Sequence, residues 1–214
     1  MQIMDEEKWG FLLLTGDELV GAAVGDDDRG HVRAQVQATL DLLRTLEAGR
    51  EVALFVEQRR PKVTVSARLG EFRWWALTVG MLNTIFIAPD ILDLAPVQAT
   101  LLYAHEFGHL LFGKDRPVEC TIDSIEQEYA AESLAARVWV EMNPGSEEYK
   151  WILDRPKETA YKKIRQWGPY YRILPEKQPR WYQIWLYWPA VAYTLRVALR
   201  LVLGMRKTRS VFFA

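Results

Sequence analysis

Two of the chain's three histidines stand four residues apart, in the run His105-Glu106-Phe107-Gly108-His109. On an α-helix, positions i and i+4 share one face a turn apart, so both imidazoles can reach a single metal ion. Glu106 follows His105 directly, which sets its carboxylate beside such an ion, where it can take a proton from water. Zinc suits the pair, because it accepts imidazole nitrogen and carboxylate oxygen in a tetrahedral site and can keep one position open. Two histidines leave a catalytic zinc site one protein ligand short. Downstream, Asp123–Met142 reads as a helix that Asp123 or Thr121 could cap and Asn143-Pro144-Gly145 stops. Glu128 and Glu132 stand at i and i+4 on it, and no basic residue at helical spacing accounts for both as surface ion pairs.

HEFGH followed by EYAAE resembles the gluzincin pattern, HExxH and then ExxxD or ExxxE on the next helix. More narrowly, HEFGHLLFG…EQEYAAESLAARV is similar to the ImmA/IrrE type of small soluble metallopeptidase, over residues 83–138. The resemblance implies a zincin-like fold and zinc-dependent hydrolysis of a protein or peptide. It implies that His105, His109 and Glu128 bind Zn2+, that Glu106 is the catalytic base acting on a zinc-bound water, and that Glu132 orients a ligand histidine. The sequence departs from the family at two positions: Ala130 replaces the middle glutamate, and Glu132 stands where the family has Asn or Asp. A shift of register would make Glu132 or Glu126 the ligand. The resemblance also implies a sheet edge along Asn83–Ala88, beside the substrate cleft, and a regulatory role inside the cell. A rival reading keeps the protease fold as a non-catalytic, metal-binding regulatory or partner-binding module.

The elements that must position these residues read as α+β: a small mixed sheet packed on the HExxH helix and the glutamate helix, with a C-terminal helical appendage. Residues 11–24 read as strand, turn, and strand or short helix, and Asp26–Gly30 as a solvated turn. Val32, Val36, Leu40, Leu43 and Leu46 then recur at helical spacing up to Gly49, which reads as the stop. Val52–Glu57, Lys62–Ala67 and Asn83–Ala88 read as strands, and Phe72–Val79 as a fourth. Pro96 opens the HExxH helix, and Gly108 within it costs about 1 kcal/mol of helix propensity, a sign that another backbone approaches closely. Residues 147–167 read as two short helices. Tyr103, Tyr129, Tyr161, Tyr170, Tyr171 and His31 are the candidate donors to a tetrahedral oxyanion, and Cys120 reads as a lone thiol between the two site helices.

The 214 residues suit one domain with an appendage, and the formal charge of −1 argues against nucleic acid as a ligand. One cysteine excludes an intramolecular disulfide, and the acidic run Asp5-Glu6-Glu7 is unlike a signal peptide, so a cytoplasmic setting is expected. The near-neutral charge is a cancellation. Residues 1–176 hold 20 basic and 28 acidic side chains, whereas 177–214 hold seven basic and none acidic. We place a boundary within the proline-rich stretch 168–180, giving a metallopeptidase domain, 1–176, and a basic, aromatic extension, 177–214. Three roles compete for residues 181–214: packing on the body or a protein partner, peripheral binding to an anionic membrane, and spanning one.

Overall fold

A computed structural model of the chain describes residues 26–69, 74–113 and 123–205. The expectations for residues 11–24 and for Cys120 and Thr121 lie outside the described residues.

The chain is α+β and mostly helical. Helix α1 (Asp26–Thr45) turns sharply into α2 (Glu47–Arg59). Strands β1 (Lys62–Val65), β2 (Ala76–Val79) and β3 (Thr84–Ile87) follow, and then the long helices α3 (Pro96–Gly113) and α4 (Ile125–Met142). Short helices α5 (Lys150–Leu153), α6 (Lys157–Ile164) and α7 (Pro169–Ile173) lead to the C-terminal helix α8 (Trp188–Met205).

Three assignments made from the sequence are corrected in these first two helices. The acidic run at Asp26 is the first turn of α1 rather than a loop, and Val52–Glu57 is helical rather than extended. In α2 the buried residues are Gly49, Val52, Ala53 and Val56, the i, i+3, i+4, i+7 pattern of one helical face. Gly49 does not stop a helix. It lies inside α2, where a Cβ would stand 2.6 Å from the Leu43 carbonyl oxygen, so only glycine lets α1 and α2 fold back on each other this tightly.

The sheet has the order β1-β3-β2, with β1 parallel and β2 antiparallel to β3. All four residues of β3 are buried, as suits the middle strand. The sequence reading made Asn83–Ala88 the sheet edge, and this too is corrected: β2 is the edge strand nearer α3, and β3 lies behind it. A hydrophobic core joins α1, α2, β1, β3, α3 and α4, with Val36, Leu43, Ala53, Ile85, Tyr103 and Phe107 fully enclosed.

The stretch 168–180 is tied to the body. The carbonyls of Pro175 and Glu176 accept hydrogen bonds from the backbone N–H groups of Ile125 (2.9 Å) and Glu126 (3.0 Å), two donors that the first turn of α4 leaves unpaired. Beyond it, Ala190 and Val191 of α8 pack with Ile125, Ile164, Tyr170 and Leu174, and Val197 packs with Leu69 and Phe86. Among the described residues, no helix is long and apolar enough to cross a membrane.

Candidate metal centre

Helices α3 and α4 make the most extensive helix–helix contact of the described residues, and Gly108 sets its closeness. A Cβ on Gly108 would stand 3.1 Å from Ala131 Cα and 3.3 Å from Leu134 Cδ2. The backbone approach anticipated from a glycine inside the HExxH helix is therefore that of α4. Ala131 lies between Glu128 and Glu132 in sequence, so the crossing point carries both carboxylates to the histidine face. The register of α4 is fixed at its start by Ser124, whose side chain accepts from Gln127 N–H while the Gln127 side chain accepts from Ser124 N–H. Ser124 is the cap, in place of the expected Asp123 or Thr121.

His105, His109 and Glu128 converge. The two Nε2 atoms lie 3.1 Å apart, and Glu128 Oε2 is 3.6 Å from each. Three atoms at these separations share a centre about 2.0 Å from each, the length of a zinc bond to imidazole nitrogen or carboxylate oxygen. The group fits a cation by a second criterion. Glu128 Oε2 is buried without a hydrogen-bond partner, a costly state for a carboxylate oxygen unless a positive charge satisfies it. Two imidazole nitrogens and one carboxylate oxygen form a donor set suited to zinc, and this trio is the metal-competent cluster among the described residues.

Glu132 approaches from the far side of His105, its Oε2 3.0 Å from Nδ1. A hydrogen on Nδ1 donated to Glu132 leaves the Nε2 lone pair facing the cluster. The sequence reading left open which histidine Glu132 would orient, and the geometry selects His105. Glu106 is buried beside the cluster, and Thr78 on the edge strand β2 donates its hydroxyl to Glu106 Oε2 at 2.6 Å. The same Oγ1 lies 3.1 Å from the Glu106 carbonyl, so one threonine bridges β2 to the carboxylate and to its helix.

The electrostatics follow from this crowding. Burial opposes protonation of His105, but the Glu128 and Glu132 carboxylates outweigh it and hold its pKa well above the ordinary imidazole value. His109 is raised on balance as well, with burial again opposed chiefly by Glu128. Burial would raise Glu128, but the two imidazoles pull it below the usual carboxylate range. Asp123, which the sequence suggested only as a cap, stands close enough to His109 to feel it. Its burial pushes its pKa up to about 6 while His109 draws it down.

Among the candidate oxyanion donors, Tyr103 is part of the core, with its hydroxyl donating to Gln35 and its ring stacked on Phe107. Tyr129 and Tyr161 pack edge to face, and His31 is exposed on α1. Burial pushes the phenols of Tyr170 and Tyr171 well above their usual pKa, aided chiefly by the Asp123 carboxylate at Tyr170 and by that of Glu128 at Tyr171. Thr78 and Asp123 are the residues at the site that the sequence reading missed. Neither has a local signal, because each acts across the fold. No known family model, curated protein or solved structure matches the chain, so a functional reading rests on the motif residues and their geometry.

Proposed function

We propose that the chain is a zinc-dependent metallopeptidase with a zincin-like core, hydrolysing a peptide bond in a protein or peptide substrate. One observation carries this reading: three donor atoms from two helices close on a point at zinc-bond distance, with a buried, hydrogen-bonded glutamate on the same helix turn. A zinc ion held by His105, His109 and Glu128 would supply Lewis acidity, activating water and polarising the substrate carbonyl. Glu106 is the proton acceptor for that water and the donor to the departing amine nitrogen. Thr78 holds one of its oxygens, leaving the other to face substrate. Strand β2 is partnered on one side only among the described residues, so an extended substrate can pair along it next to Glu106. The resemblance of the motif to a family of small metallopeptidases favours an intracellular and regulatory setting.

The test is metal analysis together with cleavage of casein by the wild type and by Glu106→Gln. Zinc at one equivalent in both, with cleavage only by the wild type, is the expected outcome. Equal cleavage by the two proteins would overturn the mechanism, and a metal-bound wild type that cleaves no substrate would favour the regulatory reading.

A further inference from the structure

The C-terminal helix has two faces. Ala190, Val191 and Val197 are turned onto the body, and the Thr194 hydroxyl meets that of Tyr170 at 3.3 Å. The opposite side carries Trp188, Ala192, Leu195, Arg196 and Leu199, all exposed, at the i, i+4, i+7, i+8, i+11 positions of one helical stripe. The 3-10 turn Trp181–Tyr187 just before the helix extends this surface with Tyr182, Trp185 and Leu186. These are not marginal exposures: Trp185 is 70% accessible, Trp188 62% and Leu199 60%. Lone exposed apolar residues are ordinary, but a contiguous set this large marks a binding surface.

The charge of the segment that carries this surface points to its partner. Residues 177–214 contain seven basic residues and no acidic one, in a chain whose remainder is acidic overall. Arg180 and Arg196 are exposed on or beside the aromatic stripe. Tryptophan and tyrosine with arginine, without acids, is the composition that settles at the boundary between headgroups and acyl chains. Over its described residues the helix is not long and apolar enough to cross a bilayer, so its apolar face would lie in the plane of the surface. We propose that the ridge formed by Tyr182, Trp185, Leu186, Trp188, Leu195 and Leu199 docks the protein peripherally on an anionic lipid surface, with the body and its metal centre held on the aqueous side.

Co-sedimentation of the full chain with phosphatidylcholine vesicles, with and without phosphatidylserine, tests this. Binding to the phosphatidylserine vesicles, weakened by added salt, is expected, with at least about tenfold weaker binding by Trp185→Ser/Trp188→Ser. Leu199→Ser weakens binding alone and serves as the second variant should the tryptophan pair disturb folding, which circular dichroism checks. Leu54→Ser, an exposed leucine on α2, leaves binding unchanged. Absence of the wild type from the phosphatidylserine pellet overturns the proposal, as does undiminished binding by folded ridge variants. A wild-type dimer in sedimentation velocity that Trp185→Ser/Trp188→Ser dissolves would overturn it in favour of a second copy of the chain.

Discussion

Glu132 Oε2 lies 3.0 Å from Nδ1 of His105, on the side of the imidazole away from the cluster, while Nε2 points into it. This contact fixes the ring's rotation and chooses which nitrogen is free to bind. Glu132→Ala should therefore lower zinc affinity about 10–100-fold, measured by competition with a chromophoric chelator, while the protein stays folded. Glu132→Gln keeps an acceptor oxygen and should fall between the two. Unchanged affinity in Glu132→Ala would show that His105 is oriented by packing alone.

Thr78→Val removes a hydroxyl while keeping side-chain shape, and leaves Glu106 Oε2 without its 2.6 Å donor. A hydrogen bond to a charged group is worth about 1.5–3 kcal/mol, so peptidase turnover should fall roughly tenfold or more. Zinc stoichiometry and affinity should stay as in the wild type, because Thr78 touches no metal donor. Thr78→Ser should restore most of the activity, and a loss of zinc in Thr78→Val would assign the threonine a purely structural role.

Zinc affinity should rise with pH, and the sign follows from the imidazoles. In the metal-free chain the neighbouring carboxylates raise both imidazoles above the ordinary histidine value, so protons compete with the metal to higher pH than they would at a free imidazole. As pH climbs through those raised values the protons leave and the competition weakens, so affinity rises until both imidazoles are neutral. Titration calorimetry in two buffers of different ionisation enthalpy measures the protons released. Proton release no greater than at an ordinary imidazole would contradict the raised values.

Metal removal should lower thermal stability. At a free zinc concentration 1,000 times the dissociation constant, binding contributes about 4 kcal/mol, or on the order of 10 °C in Tm for a chain of this size. Chelation should reverse the gain, and Glu128→Gln should abolish most of it. A Tm insensitive to both zinc and chelator would argue against a cation at the cluster.

The HExxH helix and its glutamate helix were legible because their chemistry is local. Residues four apart on one helix face need no knowledge of the rest of the chain. Gly108 announced a close neighbour without naming it, since Ala131 is brought there by tertiary packing. The same limit explains the error at Val52–Glu57. A short run of apolar residues fits strand and helix alike until Gly49 and Leu43 are seen to pack. Strand order is equally non-local, so the edge was assigned to Asn83–Ala88 when Ala76–Val79 holds it. Thr78 could not be found from sequence for that reason, because its importance lies wholly in which strand runs next to α3.

Gly108 carries a warning for anyone selecting or designing more robust variants. Replacing a mid-helix glycine with alanine is a routine stabilising substitution, and a propensity scale credits it with about 1 kcal/mol. Here the added methyl would press on Ala131 Cα at 3.1 Å, and α4 would have to yield by a few tenths of an ångström. That movement would carry Glu128 and Glu132 away from the histidines together. The propensity gain is thus set against the packing of α3 on α4 and the site that crossing builds, so a scale that counts only the helix misjudges this position.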